Sequence, residues 1–192
     1  MVINAPVFRA SGKKRIFEMQ QIEQQLKNWR DSRNIKTFPT TIKEDMLKEV
    51  EEVRLAIKNN DIENQVEELA DVAIFAFNGL GLLNANHKPT RMSIVPTLNN
   101  LESYINNIKI EMPVQMINIL NIIITMCEEL VTAKRYDFKK VLNEKILTIN
   151  SRLQDPKQKK DWILNGANSK WQKMEDQDKT TLYVANFGKC RI

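Results

Sequence analysis

Nine consecutive residues, Leu69 to Phe77, hold a single polar side chain, Asp71, and they directly follow Glu67 and Glu68. A helix that is apolar all round has to be buried. A carboxylate carried inside with it must be paired, protonated or bound to metal, because its desolvation otherwise costs several kcal/mol. No Lys or Arg lies one turn from Asp71 on the same helix, and the nearest acid on its face, Glu68, repels it. Upstream, Glu49-x-x-Glu52 has the same spacing as Glu68-x-x-Asp71, and each pair falls on one helical face. Two helices packed antiparallel across a tight turn would bring both pairs together. Divalent cations that prefer oxygen ligands, Mg²⁺ before Zn²⁺, would then relieve the repulsion. A solvated acidic face accounts for one such pair alone far better than for two with an Asp inside an apolar run.

The remaining periodicity is helical. Ile16, Met19, Ile22, Leu26 and Trp29 recur at helical spacing, predicting a first helix over about 14–30. Thr41-x-x-Glu44 has the form of a capping box that opens a second helix to about Lys58, with Val50, Val53 and Ile57 as its apolar stripe. Asn59-Asn60-Asp61 is the turn, and Asp61 caps a third helix ending near Gly79 or Gly81. Asn84 to Thr90 reads as loop and Leu98 to Ile110 as helix. Pro113 suits the first turn of a helix reaching about Lys134, and Tyr136 to Arg152 reads as the last long helix. Beyond it a polar tail, 153–192, carries isolated Trp162, Trp171, Tyr183 and Phe187, which would anchor it to the body.

Composition narrows the class. Only five Gly and six Pro in 192 residues argue for helices over a many-turned sheet. The most apolar run, Val114 to Met126, is broken by Gln115, Asn118, Asn121 and Thr125 and falls short of the ~20 residues of a membrane helix. It is expected as a buried or interface helix, with no membrane partner. Cys127 and Cys190 lie in unrelated contexts, and no basic-then-apolar leader opens the chain. Free thiols and a cytoplasmic location are therefore expected, with Cys127 as core packing. Between Thr41 and Asp71 there are ten acids against four bases, whereas the chain as a whole is +5, so the rest is strongly basic. The scattered lysines form no recognisable nucleic-acid motif, and nucleic acid is not an expected partner.

The segments Leu47-Lys48-Glu49-Val50-Glu51-Glu52-Val53 and Glu67-Glu68-Leu69-Ala70-Asp71-Val72, with Asn78 seven residues past the Asp, resemble the all-α nucleoside triphosphate pyrophosphohydrolase superfamily, the MazG-like and dimeric dUTPase group. The likeness covers about 16–82. A softer one joins Glu144-Lys145 to Ser151-Arg152, Lys170-Trp171-x-Lys173 and the stretch Leu182 to Cys190 to a branch common in phage genomes, which would place the protein in a host cytoplasm. Lys48 stands where many relatives carry another Glu, which bears on how many ions bind. The chain also holds about fifty extra residues before the Tyr136 helix. Met126-Cys127-Glu128-Glu129 faintly echoes the Met46 region, as a decayed repeat would. An inserted helical hairpin is favoured, because a repeat would have lost its second acid pair.

The resemblance implies one all-α, MazG-like helical bundle with a core at about 14–84 and 136–152, an inserted hairpin at about 86–134 and an aromatic-anchored tail. It implies Mg²⁺, with Mn²⁺ as a substitute, on Glu49, Glu52, Glu68 and Asp71, and hydrolysis of a (d)NTP to (d)NMP and pyrophosphate. Glu52 is the favoured general base. Lys145, Arg152, Lys170 and Lys173 would meet phosphates, Trp29 would stack on a base and Asn78 would bond the sugar or base; each also has an ordinary packing or surface explanation. His87, the one histidine, is expected to be inert. A dimer or tetramer is expected, because a lone helix pair cannot bury the site; the Val114–Met126 helix would supply that contact or replace it within one subunit. The rival reading is a catalytically inactive helical module that binds a nucleotide or a partner.

Overall fold

A computed structural model describes residues 8–32, 39–152, 160, 164 and 183–192. The predicted positions Trp162, Lys170, Trp171 and Lys173 lie outside the described residues. The architecture is all-α: α1 (Phe8–Ser32), α2 (Pro39–Lys58), α3 (Ile62–Leu82), α4 (Leu98–Asn106), α5 (Pro113–Ala133) and α6 (Phe138–Ser151), with a 3-10 turn at Phe187–Cys190. The one β feature among the described residues is an isolated bridge between Tyr136 and Arg191.

α3 is the central helix, packed on α2, α5, α6 and α1. This follows from its sequence, since Val66, Leu69, Ala70, Val72, Ala73, Ala76, Phe77 and Leu80 are all buried around its circumference. α2 presents Ile42, Met46, Val50, Val53 and Ala56 to it, while Ile57, expected in that stripe, is 46 % exposed beside Leu55. The stripe turns with the 3.6-residue repeat, so by the last turn Ala56 rather than Ile57 faces inward. α1 docks through Met19, Ile22 and Leu26.

α5 is core. Met116, Leu120, Ile123, Ile124 and Cys127 are buried, mostly along α3, although the helix is long and apolar enough to cross a membrane by length and composition. It therefore buries the bundle from within the subunit. Gly79 permits the approach, because a Cβ there would stand 2.8 Å from Leu120 Cδ1. The expected end of α3 near Gly79 or Gly81 is met, since its last residue is Leu82; both glycines lie inside the helix, where they serve packing.

Three helices end on the same device. At Asn60, Asn84 and Arg135 the backbone turns left-handed, with φ of 55°, 50° and 68°. In each case the following N–H reaches back to close the helix: Asp61 to Ala56 O at 2.9 Å, Ala85 to Leu80 O at 2.9 Å and Tyr136 to Val131 O at 3.4 Å. This is the Schellman closure, here made without glycine. Asp61 then caps α3, accepting the Asn64 N–H at 3.0 Å as expected. At α2 the capping-box reading is corrected. Pro39 already opens the helix, and Thr41 and Glu44 lie within it, since proline at a first turn gives up no hydrogen bond.

The chain end is stitched to the α5–α6 connection. Asp137 N–H donates to Cys190 O at 2.8 Å and Ile192 N–H to Arg135 O at 2.9 Å, while Phe187 and Cys190 are buried. Tyr183 OH donates to Glu144 at 2.6 Å and Asn186 N–H to the same carboxylate oxygen at 3.0 Å. Anchoring through Tyr183 and Phe187 is therefore as expected, and burial pushes the Cys190 thiol up to about 11.

Candidate metal centre

The tight α2–α3 turn makes the two helices antiparallel neighbours and brings Glu49 of α2 against Glu68 and Asp71 of α3. One carboxylate oxygen from each lies within 4.8 Å of the others. Three hard oxygen donors at that spacing are a donor set suited to Mg²⁺ or Mn²⁺. Glu52, the fourth expected ligand, is exposed and outside this trio, near enough for its charge to act on Glu49 and Glu68. Positions i and i+3 are separated by about 60° around a helix axis, so Glu49 turns under α3 while Glu52 turns toward solvent.

The acids resist ionising together. Burial, then the charges of Asp71, Glu68 and Glu52, push Glu49 up to about 9, and Glu49 hydrogen-bonds Glu68. Burial and Asp71 raise Glu68 to about 7, with Lys145 acting against them. Burial also raises Asp71, and Lys145 again opposes it.

Lys145 is the largest departure from the sequence reading. Expected at the phosphates, it is instead buried at 5 % exposure on α6, with Nζ 2.6 Å from Asp71 Oδ2 and 2.7 Å from Glu67 Oε1. Asp71 thus has a cation from another helix, 74 positions away in the chain, which inspection of its own helix could not reveal. Desolvation works against the ammonium, but Asp71 and Glu67 outweigh it and hold the lysine protonated. Glu49 and Glu68 ease the remaining repulsion by holding protons, which a divalent cation would displace.

The other expected substrate contacts are engaged within the fold. Trp29 donates its indole N–H to Ile149 O at 3.2 Å, tying α1 to α6. Asn78, buried, accepts a hydrogen bond from the Arg30 guanidinium, which lies across Gly81. Arg152 follows α6, and its charge is felt at Asp71. His87 is buried, with Nδ1 3.0 Å from Asn121 Oδ1 and its ring edge-on to Phe77, so it anchors its loop to α5. Because Asn121 Oδ1 also accepts the Lys88 N–H, Nδ1 is the protonated nitrogen of that ring. Glu67 was missed as a neighbour of the site. Glu67 was legible, since it sits one turn before Asp71 on the same face.

The raised values fix how stability should vary with pH. Folded Glu49 and Glu68 hold protons that an unfolded chain, titrating near 4.5, has released. Their contribution is intact below that value and is lost as pH rises through about 7 and then about 9. In chelator, the melting temperature is expected to fall steadily from pH 5.5 to 8.5 on this account, and millimolar Mg²⁺ to flatten the fall. A melting temperature that rises across that interval in chelator would contradict the buried repulsion.

Comparison with protein-family models, with curated proteins and with solved structures finds no match for the chain.

Proposed function

We propose that the chain is a Mg²⁺-dependent nucleoside triphosphate pyrophosphohydrolase of MazG-like type, releasing (d)NMP and pyrophosphate from a (d)NTP. The carrying observation is the convergence of Glu49, Glu68 and Asp71 oxygens within 4.8 Å across one helical turn-around. Bound there, Mg²⁺ or Mn²⁺ supplies charge neutralisation for a triphosphate and a lowered pKa for water. In the proposed reaction a water oxygen bonds to the α-phosphorus, the bridging α–β oxygen departs with pyrophosphate, and the water's proton goes to Glu52. The exposure of Glu52 supports that role, since a base must reach solvent to renew itself. Arg152 and the tail lysines Lys170 and Lys173 are the proposed phosphate contacts, Lys145 being committed to the acids. α4 and α5 are read as the inserted hairpin, and any dimer or tetramer would use a face other than the one α5 buries.

The test is pyrophosphate release from a panel of ribo- and deoxyribonucleoside triphosphates with Mg²⁺ and with chelator. Metal-dependent release from at least one of them is expected. Release from none, together with no thermal shift on adding Mg²⁺, would remove the hydrolase reading. The Lys145–Asp71 pair specifically favours a second reading, an inactive nucleotide- or partner-binding module in which the lysine alone compensates the buried acid.

A further inference from the structure

Beside the acid trio lies a hollow of about 490 Å³ between the start of α3, the end of α6 and the C-terminal segment. That size suits a small organic ligand. Glu67 lines the hollow and is joined through Lys145 to Asp71, so hollow and trio share a wall. Along α3 the step from Glu67 to Asp71 is about 6 Å, the scale of a sugar and one phosphate.

The charges of the lining nearly cancel. Glu67 is answered by Lys145 and Glu63 by Arg191 at 3.2 Å, and the lining also holds one acid, Asp61, and one base, Arg152. A polyphosphate gains little from such a surface. A neutral heterocycle with N–H donors and carbonyl acceptors finds partners for both. The outer wall, which includes Ala185 and Phe187, is a fixed part of the fold: Phe187 is buried, and Glu144 holds Tyr183 and Asn186 on either side.

We propose that this hollow receives the base and sugar of the nucleotide whose phosphates meet Glu49, Glu68 and Asp71, with the C-terminal segment as its specificity wall. The proposal rests on the pyrophosphohydrolase reading. A second hollow, of about 420 Å³ and lined by Glu23, Lys27 and Arg30, lies at the opposite end of α3 and is the competing location.

The test titrates the ¹⁵N-labelled full chain, with Mg²⁺, with each of four deoxynucleoside monophosphates and with inorganic pyrophosphate. Monophosphates are expected to shift the amides of Thr148 and Ala185, and pyrophosphate is not. Ala185→Trp, which fills the hollow from its outer wall, is expected to raise the dissociation constant about tenfold or more. Shifts confined to the Glu23 to Arg30 hollow, no shifts at all, or an affinity indifferent to Ala185→Trp would each overturn the proposal. Turnover of nucleoside triphosphates by the same protein with Mg²⁺ separates the two ideas. Metal-dependent pyrophosphate release without these shifts leaves the hydrolase and removes the pocket, whereas the shifts without release do the reverse.

Discussion

Replacing Lys145 by Met is expected to destabilise the ion-free protein by about 3–5 kcal/mol, the cost of leaving buried charge without its partner. For a chain of this length that lowers the melting temperature by roughly 6–20 °C. Methionine keeps most of the volume, so the loss is electrostatic. Asp71 and Glu67 each lose a contact of 2.7 Å or less, in a cluster where Glu49 and Glu68 already resist ionisation. The response to Mg²⁺ distinguishes the two functional readings. If the trio is a metal centre, the cation takes over part of the compensation, and Mg²⁺ at 100 times its dissociation constant returns about 2.7 kcal/mol. If Lys145 is simply the counter-ion of a structural pair, Mg²⁺ returns nothing. Thermal unfolding of wild type and Lys145→Met, each with chelator and with Mg²⁺, gives the answer whether or not a substrate is known.

The success of the sequence reading divides by range. The Asp61 cap, Pro113 at a helix start, the meeting of Glu49 with Glu68 and Asp71, and the largely buried 69–77 run were legible because each depends on neighbours within a turn or two. Lys145 was not, since its partners lie on a helix far away in the chain and its spacing on α6 resembles that of any half-exposed lysine. For Asn78 and Trp29 the partners, Arg30 and the Ile149 carbonyl, were hidden for the same reason, being tertiary. Glu52 stands outside the trio for a subtler reason. The i,i+3 rule places two side chains on one face but leaves them about 60° apart, and which of the two turns inward depends on how α2 is rotated against α3. That rotation is set by Met46, Val50 and Val53 packing into α3.

Glu49→Gln is expected to move stability and function in opposite directions. Burial and three neighbouring carboxylates push Glu49 up to about 9, so near pH 8 the ion-free protein already carries it largely protonated, and glutamine reproduces that neutral form in the same volume. The variant should therefore melt at or above the wild-type temperature in chelator, and its advantage should widen as pH rises toward 9. A neutral amide is a poor ligand for a hard divalent cation, however. Stabilisation by Mg²⁺ should largely disappear, and pyrophosphate release should fall by more than the ~10–100-fold that loss of a supporting residue costs. Glu52→Gln provides the contrast. If Glu52 takes the proton, its loss lowers kcat while the Mg²⁺-induced thermal shift persists, because Glu52 stands outside the trio. A Glu49→Gln protein as unstable as Lys145→Met would mean that Glu49 is held as an anion by a partner in the fold, and the trio would then be a structural ion-pair network rather than a seat for metal.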